Sequence, residues 1–377
     1  MANACCSSSK TVSERPSCEC GAPPTGDRTP ETRRIEIEGH VPTPAGEVPV
    51  VGTRLRSADI LGSWRARWGV GRLSYAIAPG LYALGSPTPE SPVLVSANYK
   101  LSFDWLRSQM VGRNAWVLVV GTRGINVWCS AGKGTFSAEE IAHRVKAVRL
   151  AEIVSHRTLI VPQLAAPGVN AHEVGRLSPF RVVYGPIRAE DLPRFLDAGM
   201  KATPEMRQVR FALRDRIVLI PVELVQAAKY ALFVAVCLLV LGGLGAHGYT
   251  LARVWDGGAK SALLFLAAYL FGVVVPPTLL PWLPGRAFAT KGAVAGLVFG
   301  LAVAGHFMAH PRAGTPVEAA AWLFIGPAVA SFLAMNFTGA STYTSLSGVR
   351  REMAYAVPAQ AVAGTLGLAL WLVGRFV

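Results

Sequence analysis

The sequence predicts a parallel, Rossmann-like α/β sheet followed by an all-α transmembrane domain of about five helices. Three observations lead there. Short apolar runs alternate with helical spacing between about residues 92 and 198, charge becomes sparse beyond about Leu224, and long apolar stretches fill the rest. The chain of 377 residues is 51% hydrophobic and 16% charged, where soluble domains carry roughly 25% charged residues. The deficit is therefore local, and a chain this long holds two or three domains at about 150 residues each.

Each element follows from its own stretch. Residues 1–54 are rich in Pro, Gly and Ser without apolar periodicity, so a disordered head is expected. A soluble domain then spans 55–222. Pro92–Ala97 and Ala115–Val120 read as buried strands, with helical spacing over Leu101–Met110 between them. Ser137 with Glu140 resembles a capping box opening a helix that runs to about Val154. Strands at Thr158–Val161 and Arg181–Tyr184 and a helix at Ala189–Ala198 complete the alternation. Such alternation builds a parallel sheet with its ligand site at the carboxyl ends of the strands.

Residues 223–377 form the membrane domain. Apolar stretches at Leu224–Ala246, Ser261–Leu280, Ala293–Met308, Val317–Met335 and Ala356–Val373 approach the ~20 residues that cross a hydrocarbon core of ~30 Å. The third is short and Pro276–Pro277 interrupts the second, so four or six spans are the neighbouring readings. Loop charge is balanced between the two sides. The Arg cluster before the first span (Arg207, Arg210, Arg214, Arg216) and the missing signal peptide orient the protein in an inner membrane, multi-pass, with the soluble domain cytoplasmic. That cluster suits anionic membrane lipid. The net charge of +14 is spread without aromatic interleaving, so no nucleic-acid partner is expected.

Six cysteines are present. Cys5, Cys6, Cys18 and Cys20 lie in the head, Cys18 and Cys20 being the better-spaced pair for a soft metal, although thiols in such a tail are commonly incidental. Cys237 sits in an apolar run as a small hydrophobe. No disulfide framework is implied, and a reducing compartment fits. Cys129 stands alone in the soluble domain, within Gly124–Phe136 (GINVWCSAGKGTF), just after the second buried strand. The run is not a phosphate-cradling loop: Val127 stands in place of the first glycine and Gly134 in place of the hydroxyl residue. No zinc set surrounds Cys129, since His143, His156 and His172 show no matching spacing. A lone cysteine is by default a buried hydrophobe. Here Ser130, Ala131, Gly132 and Gly134 lack bulk and would admit a flat ligand, while Lys133 favours thiolate over thiol.

The run NVWCSAGKGTF (Asn126–Phe136) closely resembles that of the mercury-methylating corrinoid proteins, membrane-bound partners of a ferredoxin-like protein. PGLYALG (Pro79–Gly85), Ser91–Arg107, Gly112–Asn126, His156–Val169 and Val182–Leu192 resemble the same family, as does the tail of about five spans. Two departures stand out: Ser130 replaces a more usual Ala, and Gly121 replaces an expected acidic residue, which would weaken corrinoid affinity if that carboxylate shapes the loop.

The resemblance implies an α/β corrinoid-binding domain similar to that of the corrinoid iron–sulfur protein of the acetyl-CoA pathway. It implies a cap helix bringing Cys129 under the ring as lower ligand of cobalt, and methyl transfer to Hg(II) to form methylmercury. A thiolate there donates electron density, as in thiolate-ligated haem. Corrinoid contacts are implied for Asn98, Tyr99, Thr122, Gly124, Asn126, Val127, Trp128, Ala131, Gly132, Lys133, Gly134, Thr135, Phe136, Gln163, Gly168 and Tyr184. Implied partners are a ferredoxin-like iron–sulfur electron donor and a pterin-dependent methyltransferase. A corrinoid methyl carrier of one-carbon metabolism, with mercury an incidental acceptor, is the alternative. Asn170–Gly175 (NAHEVG) differs from the D-x-H-x-x-G of histidine-ligated cobalamin enzymes by Asn for Asp. That Asn cannot orient a metal-bound His as a carboxylate does.

Overall fold

The computed structural model describes residues 35–340 and 346–377; residues 1–34, with the four cysteines of the head, lie outside them. A seven-stranded sheet runs in the order β1-β2-β3-β5-β4-β6-β7. Its strands are β1 (Ile37–Thr43), β2 (Gly46–Val51), β3 (Gly80–Leu84), β4 (Val93–Ala97), β5 (Ala115–Val120), β6 (Thr158–Val161) and β7 (Arg181–Tyr184). β5, β4, β6 and β7 are mutually parallel, whereas β3 joins β5 antiparallel. The four strands expected from buried apolar runs all sit in the parallel part.

β4, β5 and β6 are buried on both sides because helices cover both faces, while β7 at the edge is only half-buried. Alternate residues serve opposite cores. Val93, Val95 and Ala97 of β4 meet Leu118 and Val120 of β5 in one core, with Phe136 and Ile141. Leu94, Val117 and Val119 face the other, with Phe103, Leu106 and Phe195. The first layer holds α3 (Val127–Gly132), α4 (Ala138–Ala147), α5 (Leu150–Ile153) and α6 (Ala171–Leu177). The second holds α2 (Lys100–Ser108) and α7 (Leu192–Asp197), with α1 (Ser57–Arg67) outside α2.

Three expectations change. Residues 37–51, assigned to a disordered head, form the β1–β2 hairpin. Its prolines, Pro42 and Pro49, hide the alternation, and proline is tolerated at a sheet margin. The helix expected from Ser137 to Val154 breaks at Arg149, whose φ is 50°; the turn aims Leu150 and Ile153 into the core. Ser137 does cap α4, accepting from Glu140 N–H at 3.3 Å. The Glu140 carboxylate does not close a capping box, because it accepts from Gly121 N–H at 2.7 Å and pairs with Arg144.

A buried ring of charge fastens α1 to α2. Lys100 Nζ donates to Asp59 at 2.5 Å and Asp104 at 2.6 Å, and Arg107 donates to the same two carboxylates at 2.7 and 2.8 Å. Arg107 also donates to the carbonyls of Gly52 and Arg54, tying the ring to the end of β2.

Among the described residues, five helices are long and apolar enough to cross a membrane. α8 (Leu213–Ile217) leads into α9 (Ile220–Leu241); α10 (Leu251–Arg253) passes through a π-helical turn into α11 (Ala259–Leu279); α12 (Phe288–Ala309), α13 (Pro316–Ala340) and α14 (Leu346–Val373) follow. Pro276 and Pro277 do not interrupt α11, which continues to Leu279. They lie in its last turns, where Arg216 donates to the carbonyls of Pro277 (2.7 Å) and Thr278 (2.8 Å). Gly292, Gly296 and Gly300 let α12 lie against α13: a Cβ at each would fall 2.3–2.5 Å from a carbonyl oxygen of α13.

Candidate functional site

The carboxyl ends of β4, β5 and β6 carry loops that build one corner of the molecule. Asn98, just after β4, is the hub of that corner. Its buried Oδ1 accepts from Thr122 N–H (3.0 Å), Thr122 Oγ1 (2.8 Å) and Gly124 N–H (2.9 Å), and its Nδ2 donates to Ile77 O. These bonds hold a loop in which Arg123 and Gly124 are both left-handed (φ 57° and 71°). That conformation is costly for the arginine and needs such support.

The loop delivers the chain into α3. Asn126 caps this helix, its side chain accepting from Cys129 N–H at 2.9 Å. Ser130 is buried and its hydroxyl is within reach of the carbonyls of Asn126 (2.6 Å) and Val127 (3.0 Å). The hydroxyl that distinguishes it from alanine is thus satisfied inside the helix. Gly134, at φ 74°, turns the chain back into Phe136, which is fully buried. At Gly121 a Cβ would come 3.1 Å from the Glu140 carboxylate. Glu140 therefore occupies the space an acidic residue 121 would need, and like charges would meet there.

Gly168 braces α3 from behind. A Cβ there would lie 2.5 Å from Ala131 O and 2.7 Å from Phe136 O, both backbone atoms. Gly168→Ala is therefore expected to destabilise this corner by about 1–3 kcal/mol, the cost of overpacking. Faster hydrogen exchange across residues 127–136 would report it, and unchanged protection would refute the close-packing argument. Tyr184 supports the same loop by donating to Val169 O at 2.6 Å. Gln163 accepts from Arg207.

A cleft of about 320 Å³ opens at this edge. Tyr99, Asn126, Val127 and Trp128 line it, opposite Pro186–Ala189 and the start of α9 through Val222. Of the residues expected to contact a ligand, those four reach the cleft wall. Asn98, Thr122 and Gly124 form the scaffold behind it, Ala131, Phe136 and Gly168 pack α3, and Gly132, Lys133 and Gly134 are exposed on its outer end. Thr135 binds back to Ser130 O.

Cys129 is half-buried, and its sulfur lies near enough to Tyr99 to act on that phenol electrostatically. Burial pushes the Tyr99 hydroxyl above the usual phenol range; Arg72 and Arg67 oppose the shift, and Cys129 adds to it. Tyr99 is 3% exposed, yet its hydroxyl has no hydrogen-bond partner among the described residues, a cost unless something else meets it. Arg72 lies over the Tyr99 ring, 5.8 Å from its centroid.

Arg67, Arg72 and Arg188, which line the same cleft, have no motif around them to expose their role in the sequence. Only their convergence from separate elements brings them together. Asn170 caps α6, accepting from His172 and Glu173 N–H groups, while His172 is exposed. A larger open depression of about 540 Å³, between α4, α5 and α6, lies away from these loops.

An apolar wall, a buried hydroxyl with no partner, three guanidinium groups and a nearby thiol suit a flat, largely apolar ligand with polar margins and a soft metal. Residues 72–178, which contain all of this corner up to α6, match the model of the CO dehydrogenase/acetyl-CoA synthase delta subunit family. Among curated proteins, the acetyl-CoA decarbonylase/synthase complex subunit gamma of Archaeoglobus fulgidus is 30% identical over 130 residues, 33% of this chain and 27% of that protein. The gamma subunit of Methanopyrus kandleri is 30% identical over 123 residues, 32% and 26% of the two chains. That of Methanocaldococcus jannaschii is 35% identical over 97 residues, 25% and 20%. The chain thus spans about a quarter of the length of these relatives. Over residues 72–178, from the turn before β3 through α6, this chain is similar to the CO dehydrogenase/acetyl-CoA synthase delta subunit family.

Proposed function

We propose that this chain is a membrane-held corrinoid protein in methyl transfer, in which the Cys129 thiolate would hold the cobalt and inorganic Hg(II) would accept the methyl group. The observation that carries the reading is the run Asn126–Phe136, whose short helix α3 brings Asn126, Val127 and Trp128 to the cleft wall and leaves Cys129 half-buried as the next residue, itself not part of the lining. The relatives favour a second reading of the acceptor, since they are subunits of acetyl-CoA decarbonylase/synthase complexes. In it the chain is a methyl carrier of one-carbon metabolism and mercury is incidental. The comparisons support this alternative better than the mercury reading, which rests on the resemblance of Asn126–Phe136.

When bound, the corrinoid supplies a cobalt that holds and releases a methyl group. The protein's own residues do the rest. Asn126 fixes the start of α3 and so the position of Cys129, whose soft sulfur would hold a transition metal and supply charge to it. Tyr99 offers a hydroxyl already stripped of water, able to bond a polar group at the ligand's margin. Arg67 and Arg72 supply positive charge beside it, and Val127, Trp128 and Val222 exclude solvent. A ferredoxin-like protein as electron donor, a pterin-dependent methyltransferase as methyl donor, and an inner-membrane setting with this domain in the cytoplasm complete the proposal.

The decisive measurement is the absorption spectrum of the full-length protein loaded with corrinoid, native against Cys129→Ala. The expected result is a shift of the corrinoid bands in the native protein that alanine abolishes. Identical spectra would remove sulfur from cobalt. To separate the two acceptors, the methyl-loaded protein is offered Hg(II) and, in parallel, the methyl-accepting enzyme of an acetyl-CoA-forming system. Faster transfer to the latter would establish the carrier reading.

A further inference from the structure

Helix α1 carries its apolar residues on the wrong side for a soluble domain. Its inner side, Asp59, Gly62 and Ala66, meets the charged ring and Tyr75. Ile60, Leu61, Trp64 and Trp68 recur at helical spacing on the opposite side, and they face outward. Leu61 is 62% exposed, Trp64 61%, and Leu73 in the following turn 69%. Arg56 and Arg65 flank this face. Scattered exposed apolar residues need no explanation, but a contiguous patch with two tryptophans marks an interaction surface.

Its position says what covers it. Gly69, at the end of this segment, lies against Val225 in the second turn of α9: a Cβ there would be 3.5 Å from Val225 Cγ1. Arg67 and Arg72 share the cleft wall with Val218, Leu219 and Val222. The outward face therefore borders the exposed apolar surface of the first membrane-length helix, where Leu232 and Phe233 are also bare. A helix of 22 residues measures about 33 Å at ~1.5 Å per residue. The membrane-length segment as a whole runs from Leu213 to Leu241, 29 residues or about 43 Å at the same rise, against a hydrocarbon core ~30 Å thick, so its first turns reach the headgroup layer. Tryptophan beside arginine is the composition favoured at that depth.

We infer that Ser57–Ser74 lies in the headgroup layer of the bilayer, with Leu61, Trp64, Trp68 and Leu73 at the acyl boundary and Arg65 on lipid phosphate; Arg56 is paired with Glu36. The occupant of the patch is phospholipid. The cleft wall that Arg67 and Arg72 share with Val218, Leu219 and Val222 is thereby held at the membrane surface. This inference does not depend on the corrinoid reading.

The test places the photo-crosslinker p-benzoylphenylalanine singly at Leu61, Trp64 or Leu73 of the full-length chain in native membranes. Tyr230 of α9 and the exposed Arg176 of α6 serve as comparison sites. Irradiation is expected to give phospholipid adducts at positions 61, 64 and 73 at least ~10-fold above position 176, corresponding to a preference of ~1.4 kcal/mol. Adduct yields at the level of position 176 would overturn the inference. Adducts with a protein in place of lipid would also overturn it, assigning the patch to a partner subunit. Loss of lipid adducts at Tyr230 as well would take α9 out of the bilayer and the inference with it.

Discussion

On the proposed mercury reading, Cys129→Ala is expected to lower methyl transfer to Hg(II) by more than ~100-fold, since losing even ~2.7 kcal/mol of transition-state stabilisation has that effect. The loss follows from chemistry at one atom. Transfer to an electrophile would move the methyl group with its bonding electron pair, and a Cys129 thiolate bound to the metal would supply charge to it. Alanine donates nothing, and histidine, neutral and harder, restores little, so Cys129→His should fall nearly as far. The α3 scaffold should survive both changes, because its cap, Asn126, accepts from the backbone N–H of residue 129 rather than from the sulfur. Single-turnover transfer from methyl-loaded protein, with hydrogen exchange over 127–136 as the folding control, provides the measurement. Wild-type turnover by the alanine variant would defeat the ligand role.

The largest stability effect should come from the charged ring under α1. Asp59→Ala leaves Lys100 and Arg107, each 5% exposed, to share Asp104 alone. Stripping one partner from a buried ion cluster costs about 3–5 kcal/mol, and α1 should lose its seat on α2. Hydrogen-exchange protection of α1 in the full-length protein would show it; unchanged protection would mean the ring contributes little. The pH dependence has a definite sign. Burial raises the Asp59 carboxyl, but the Lys100 bond, the Arg56 N–H and the charges of Lys100 and Arg107 outweigh it, and the group sits below the ordinary aspartate range. Its stabilisation is therefore fully present above the unfolded value near ~4 and is lost as pH falls through its lower folded value. Wild-type α1 should loosen below about pH 4, and Asp59→Asn should lack that step.

If Ser57–Ser74 also rests on lipid, the same ring holds a membrane-facing element in place. Acid would then release both α1 from α2 and the tryptophans from their fixed depth.

Much of this was legible in the residues. The strands β4 to β7 announce themselves as short runs of Val, Leu and Ile, because helices on both faces remove any need for polar alternation. The five helices long enough to cross a membrane are equally plain, because each is a long apolar run of the kind lipid demands. The position of Cys129 after β5 follows from the parallel sheet. The β1–β2 hairpin was not legible: Pro42, Pro49 and the neighbouring glycines mask its alternation, and only pairing at the sheet margin orders it.

The sequence by itself determined the α/β sheet, the five apolar helices and the loop that bears Cys129, since each is written in contiguous residues. Only the tertiary structure decided that Asn98 shapes that loop from 24–26 residues away, that Tyr99 presents a buried hydroxyl without a partner, and that Arg67, Arg72 and Val222 share one cleft. It alone decided, too, that α1 turns its tryptophans outward beside α9. These are contacts between residues distant in the chain. Their energy comes from desolvation and packing that no local pattern records.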